Sequence, residues 1–235
     1  EQQQIAEILS TWDRAIELKE ALIKEKEEQK KGLMQKVFSK IEEYSYVGEL
    51  IKESKEVEEN PEVERLLTVR LHLEGVFKRS LRGNETVGST ILYRRKAGQF
   101  IYGKQNFHNG ALGIVPEELD GYSSSSDIPS FDFVTEKVVP LYFYYYWSQK
   151  VNYKRMETFT TGTGSKRLKP KEFYNRKMKL PSLQEQHTIA NALSMMDDKL
   201  NLLKKELELL KEQKKGLMQL LLTGIVRVGE VEELE

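Results

Sequence analysis

The feature that most constrains this chain is that it repeats itself. Shifted against itself by 184 residues without gaps, Glu1–Asp13, EQQQIAEILSTWD, returns as Glu185–Asp197, EQHTIANALSMMD, and Glu28–Gln35, EQKKGLMQ, returns unchanged as Glu212–Gln219. Of the 35 aligned positions, 16 are identical. Copies held so far apart exclude a solenoid, whose repeats must touch their sequence neighbours to bury a core. The pattern predicts two equivalent struts with a separate module inserted between them.

Both copies read as helix. In the second, Ile189, Leu193, Met196, Leu200, Leu203, Leu207 and Leu210 alternate spacings of four and three, the seam of a coiled coil, which Leu217 and Leu221 resume past Lys214. The first keeps Ile5, Leu9, Trp12, Ile16, Ile23 and Leu33 on the seam but also places Lys19, Lys26 and Lys30 there. That polar interruption points to register control or to a partner beyond a simple zipper. At about 1.5 Å per residue, each strut spans on the order of 50 Å. Gly costs roughly 1 kcal/mol inside a helix, so Gly32 and Gly216 predict a bend or a close backbone approach. Lys30, Lys31, Gly32, Leu33 and Met34, with Lys214, Lys215, Gly216, Leu217 and Met218, predict a shared docking surface; taken singly, either stretch reads equally well as a fraying helix end.

The formal charge sums to zero, 37 basic against 37 acidic residues, yet it is segregated. Residues 70–180 hold 19 basic and 10 acidic side chains, a net of +9, while 1–69 and 181–235 together hold 18 and 27, a net of −9. A local positive field attracts polyanions whatever the global sum. Charged residues at 31% exceed the roughly 25% of an average globular protein, in keeping with long solvated helices. With no Cys, disulfides, thiolate metal sites and thiol catalysis are excluded. No apolar run approaches the roughly 20 residues that cross a bilayer, and no stretch resembles a secretory leader, so a soluble cytoplasmic protein is expected.

Between the struts the pattern turns mixed. Val69, Leu71 and Leu73 alternate with polar neighbours, and Thr90–Tyr93, Gln99–Tyr102 and Phe131–Thr135 are short apolar runs; each predicts a strand. Pro140 through Trp147 fits a buried strand or a helix with Pro in its first turn. The Glu- and Lys-rich segment 48–68 predicts a connecting loop or an exposed helix. Four stretches carry most of the positive charge: Lys78, Arg79 and Arg82; Arg94, Arg95 and Lys96; Lys150, Lys154 and Arg155 around Tyr153; and TTGTGSKR, with Thr163, Ser165, Lys166 and Arg167. Such loops suit nucleic acid, where Lys and Arg neutralise phosphates while hydroxyls, amides and backbone N–H groups make hydrogen bonds. Asn106 and Tyr153 are candidates for base-edge or stacking contacts. One run alone reads better as a solvated face; four in one basic module point to a polyanion.

No catalytic constellation accompanies them. GTGSKR lacks the Walker spacing, His72, His108 and His187 are scattered without zinc spacing, and Asp127 and Asp132 flank Pro129 without a nuclease pattern. Asn60-Pro61-Glu62-Val63 does not make the Asn-Pro-Pro-aromatic pocket of adenine methyltransferases.

Leu180-Pro181-Ser182-Leu183-Gln184-Glu185-Gln186, running into Ile189-Ala190 and Asp197, then Lys214 through Val228, KKGLMQLLLTGIVRV, resemble the distal conserved region of the specificity (S) subunit of type I restriction-modification systems. Tyr102-Gly103-Lys104, Gly113-Ile114-Val115-Pro116, Leu119-Asp120-Gly121 and Gly162–Arg167 resemble that family's target recognition domain. The resemblance covers essentially the whole chain. It implies a domain that reads half of a bipartite DNA site, with Lys104 among its DNA contacts, and helices that bind methyltransferase subunits holding S-adenosylmethionine. Restriction subunits join that complex for ATP-dependent translocation and cleavage. The family pattern has two recognition domains; this chain carries one and starts within the central conserved helix, so a C-terminal half is expected, either a fragment or a half-length subunit that dimerises.

The expected fold class is α+β: a mixed α/β target recognition domain, 41–180, inserted between two long antiparallel helices, 1–40 and 181–228, that form a coiled-coil spacer, with a tail at 229–235. The expected function is a non-catalytic DNA specificity subunit with no metal or cofactor of its own. Its partners are double-stranded DNA, methyltransferase subunits, restriction subunits through the complex and, for a half-length subunit, a second copy. A rival reading is a structural coiled-coil scaffold whose inserted domain binds another protein, which predicts no salt-dependent DNA affinity. Another is a nuclease or DNA-modifying enzyme with a noncanonical site, which predicts turnover without added subunits.

Overall fold

The computed structural model describes residues 1–81, 83, 88–162 and 166–228; Arg82, Thr163, Ser165 and the tail at 229–235 lie outside the described residues. Its helices are α1 (Gln2–Ser39), α2 (Pro140–Ser148), α3 (Lys150–Arg155), α4 (Pro170–Tyr174) and α5 (Leu183–Leu222). Its strands are β1 (Tyr44–Tyr46), β2 (Ile51–Ser54), β3 (Leu67–Arg70), β4 (Gly75–Lys78), β5 (Leu92–Arg94), β6 (Phe100–Tyr102), β7 (Leu112–Ile114), β8 (Ser123–Ser125), β9 (Ser130–Phe133) and β10 (Lys177–Lys179). They make two compact units, Glu1–Gln35 with Ala192–Glu235, and Lys36–Asn191. No described helix is long and apolar enough to cross a membrane.

In the first unit the seam of α1 packs on that of α5. Ile23, Leu200, Leu203 and Leu207 form a buried cluster, with Ile16 and Leu22 against it; each such burial is worth about 1.5–3 kcal/mol. Asp13, Glu20, Glu27 and Lys30 pair in turn with Lys214, Lys211, Lys204 and Asp197, the falling numbers of an antiparallel pair. The lysines on the seam are thereby explained. Lys30 pairs with Asp197 and Lys19 reaches Glu206 at 2.8 Å, so two of the three polar interruptions are cross-helix ion pairs that fix register.

These pairs obey the repeat. Shifting both members of Lys30–Asp197 by the repeat offset gives Lys214–Asp13, and Glu27–Lys204 becomes Lys211–Glu20. A local two-fold axis therefore relates the helices, as in an isologous dimer built within one chain. Gly32 and Gly216 correct one expectation: the helix runs on past both, and a Cβ at either would meet nothing within 4 Å. Among the described residues neither glycine serves a close approach, and the helix continues past both stretches.

In the second unit the four-stranded antiparallel sheet β2-β9-β6-β7 sits beside an aromatic core. Phe100, Tyr102, Phe107, Phe131, Phe143, Trp147 and Phe173 are all buried, with ring centroids 4.9–6.4 Å apart where they touch. Pro140 occupies the first turn of α2, which resolves the choice between strand and helix in favour of helix. Gln186 is 1% exposed and ties segments together: its amide nitrogen donates to the Lys137 and Pro181 carbonyls and its oxygen accepts from the Val139 N–H. At the start of α5, Ser182 and Glu185 form a reciprocal capping box, the physical content of the PSLQEQ stretch.

Two local expectations are corrected. The alternation at 69–74 does not make one strand: Leu71–Glu74 turns the chain from β3 into β4, with His72 and Leu73 at φ 58° and 63°. A two-residue hairpin turn of this hand requires both positive angles, and the His72 and Leu73 N–H groups are held by the Asn109 and Gly110 carbonyls. Segment 48–68 is neither simple loop nor helix, because it supplies β2, paired with β9 from Ile51↔Phe133 to Ser54↔Ser130. Only one side of β2 needs apolar residues, so its Lys and Glu content concealed it.

Candidate nucleic-acid interface

The loop from Ser124 to Ser130 organises the polar surface of the second unit, and its anchor is Arg95. This side chain is 1% exposed. Its Nε donates to Ser124 Oγ at 2.7 Å, Nη1 to Ser130 Oγ at 3.0 Å and the Ser54 carbonyl at 3.1 Å, and Nη2 to the Ile128 and Ser125 carbonyls. Burial pulls the guanidinium down to about 10, which leaves it charged at neutral pH. Arg95 is thus an internal strut, and the expectation that it contacts DNA is corrected.

The loop so fixed forms a wall of three neighbouring grooves. The first, about 460 Å³, is lined by Lys55, Lys104, Arg167, Lys169 and Lys171 against Glu53 and Asp127, five positive groups to two negative. Backbone bonds assemble it: the Lys104 N–H donates to the Asp127 carbonyl, the Leu168 N–H donates to the Lys104 carbonyl, and Thr161 and Arg167 exchange both of theirs. Leu168 is buried completely, which pins the chain beside it and places Arg167 at the groove. Arg167 Nη2 lies 3.3 Å from Asp127 Oδ2, while its Nε is buried and has no hydrogen-bond partner among the described residues. An unsatisfied buried donor costs about 1–3 kcal/mol. Burial also pulls the Lys104 amine below its ordinary value, against the opposing pull of Asp127.

A second groove, about 160 Å³, shares Glu53, Lys55 and Lys104 and adds Tyr93 and Ser126. The third, about 400 Å³, carries Arg79 opposite Ser124–Ile128. Arg79, Lys104 and Arg167, far apart in sequence, are therefore gathered around one loop. Lys166 and Lys78 are exposed. The other expected contacts are dispersed. Arg94 and Lys96 are exposed but face Glu58 at 4.0 Å and Glu56 at 2.6 Å. Lys154 reaches Asn109 Oδ1 at 3.3 Å, and Asn109 in turn donates to Asn106 Oδ1, so Asn106 helps hold a turn. Lys150 is exposed and Tyr153 half-buried on α3, and Arg155 lines a separate cleft beside β10. Of the expected docking residues, Lys31, Gly32, Lys215 and Met218 are exposed, Leu33, Gly216 and Leu217 half-buried, Lys30 and Lys214 are drawn into the cross-helix pairs, and Met34 is buried. Among the described residues no three His, Asp or Glu side chains group as a metal site.

The family model described as "Type I restriction modification DNA specificity domain" matches residues 76–212, more than half the chain. The chain belongs to this type I restriction-modification DNA specificity family. A putative type I restriction enzyme MjaX specificity subunit from Methanocaldococcus jannaschii is 29% identical over 97% of this chain and 58% of its own length. The type I restriction enzyme MjaVIII specificity subunit of the same organism is 28% identical over 50% of this chain and 28% of its own. The chain therefore spans well under two thirds of either relative. The fold matches the crystal structure of a type I restriction-modification S subunit from M. genitalium, with a TM-score of 0.59 and 18% identity over 92% of this chain and 59% of that one. The HsdS subunit from Thermoanaerobacter tengcongensis gives 0.57 and 11%, over 92% and 55%.

The family match takes in most of the three grooves but not Lys55, which lies before it. Sequence reasoning missed Lys55 because it follows β2 in a stretch dominated by glutamates. It also missed Lys169 and Lys171, although they flank Pro170 directly beyond the TTGTGSKR segment, and extending that run by four residues would have found them.

Proposed function

We propose that this chain is a non-catalytic, DNA-reading specificity subunit of a type I restriction-modification complex, whose module reads one half of a bipartite site. The observation that carries this reading, beyond family membership, is the convergence of Arg79, Lys104 and Arg167 on one internally anchored loop. A rigid loop suits sequence reading because only fixed donors distinguish base edges, while the lysines neutralise phosphates.

The helices would dock methyltransferase subunits, which hold S-adenosylmethionine, and restriction subunits would join through the complex. The two-fold arrangement of α1 and α5 supports this, since equivalent copies offer two equivalent partners a matching surface, and Gly32 and Gly216 leave open space beside the helix backbone. A second copy of the chain, or a second module in a longer one, would supply the other half-site. Footprinting in the presence of the cognate methyltransferase tests the reading: Lys166→Ala with Arg167→Ala should abolish protection of the site. Unchanged affinity and specificity would remove that segment from the interface.

A further inference from the structure

A cleft of about 620 Å³ beside the β1–β10 ribbon is lined by four cations and no carboxylate. Its form follows from the ribbon. Tyr44 lies opposite Lys179 and Tyr46 opposite Lys177, and directly opposed residues share a face. The intervening Met178 turns inward and is buried completely. Lys179 Nζ accordingly sits 5.9 Å from the Tyr44 ring centre and Lys177 Nζ 5.2 Å from that of Tyr46, while the Arg176 guanidinium lies 3.8 Å from the Phe159 ring centre. Arg155 completes the set from α3.

Among the described residues none of these four cations forms an ion pair. An aromatic face holds a cation in place without cancelling its charge, so the cleft keeps a positive field that a carboxylate would remove. Its wall also contains Trp147, whose indole N–H is buried without an acceptor among the described residues. The cleft and the first groove flank α4: Lys169 and Lys171 line the groove at the start of that helix, and Asn175 and Arg176 line the cleft at its end. Five helical residues span only about 8 Å, and duplex DNA presents a phosphate roughly every 3.4 Å along each strand, so one duplex can meet both.

We propose that the cleft formed by Tyr44, Tyr46, Arg155, Arg176, Lys177 and Lys179 binds the phosphodiester backbone of DNA without reading its sequence. The proposal rests on the DNA-binding function above and adds a second, positioning contact to it.

The test is fluorescence anisotropy of the full chain with mixed-sequence duplexes over a salt series. Lys177→Gln with Lys179→Gln should weaken binding to every duplex alike and reduce the slope of log K against log salt by about 1.8, and Arg155→Gln alone by about 0.9. Arg155 lies on the exposed side of the short α3, so its variant serves even where the ribbon variant melts early. Unchanged slopes in variants that melt with the parent would overturn the proposal while leaving DNA binding intact. Loss of methyltransferase capture with unchanged slopes would also overturn it, reassigning the cleft to an acidic protein surface. Absence of salt-dependent binding in the parent would instead remove the DNA-binding reading and this proposal together.

Discussion

At Arg94-Arg95-Lys96 every cation is engaged: Arg94 and Lys96 face Glu58 and Glu56, and Arg95 is buried among serine hydroxyls and carbonyls. At Arg176-Lys177-Met178-Lys179 the cations lie over aromatic rings and no carboxylate among the described residues pairs with them. The two runs look alike in composition, but among the described residues only the first has carboxylates facing it. A basic run therefore says little about a polyanion site until the groups facing it are known. In the first run those groups arrive from 56–58, a segment distant in sequence that only the fold brings near.

The comparison can be broken most severely at Arg95. Arg95→Met should destabilise the second unit by about 3–5 kcal/mol, because two serine hydroxyls and three carbonyls lose a buried charged partner; the urea unfolding midpoint measures it, and a midpoint near that of the parent would make Arg95 a spectator. Next in size, Lys104→Met with Arg167→Gln should weaken DNA binding roughly a hundredfold at about 0.05 M salt through two lost phosphate contacts, as a binding titration would show. A smaller change in the opposite direction is expected from Glu56→Gln with Glu58→Gln. Freed of their carboxylates, Lys96 and Arg94 should raise affinity for nonspecific DNA by roughly tenfold at low salt. Smallest of all, Arg94→Gln with Lys96→Gln in the parent should change DNA affinity by less than about twofold, since those charges are already compensated.

The helical part was legible in the sequence because the repeat and the seam record it directly. Spacings of four and three identified the buried stripe of α5, and the lysines interrupting the α1 stripe pointed to register control, which two of them supply by pairing with α5. The module was less legible. Strands of three or four residues carry little periodicity, and the alternation at 69–74 ran across a hairpin whose turn residues, His72 and Leu73, lack the usual Asn-Gly signature. The grooves were half legible: TTGTGSKR and Lys104 drew attention as local patterns, whereas Lys55 and Tyr93 reach the site only through β-pairing. Arg95 shows the limit of composition, since a cation counted toward a surface field turned out to be the module's internal anchor.

The central claim is that this chain decides which DNA sequence its complex acts upon. Methylation profiling of DNA from cells carrying the chain with its methyltransferase, compared with the same cells lacking the chain, tests that most directly. The account predicts one bipartite methylated motif that disappears without the chain and is lost or altered in the Lys104→Met, Arg167→Gln variant. An identical methylation pattern with and without the chain would contradict it.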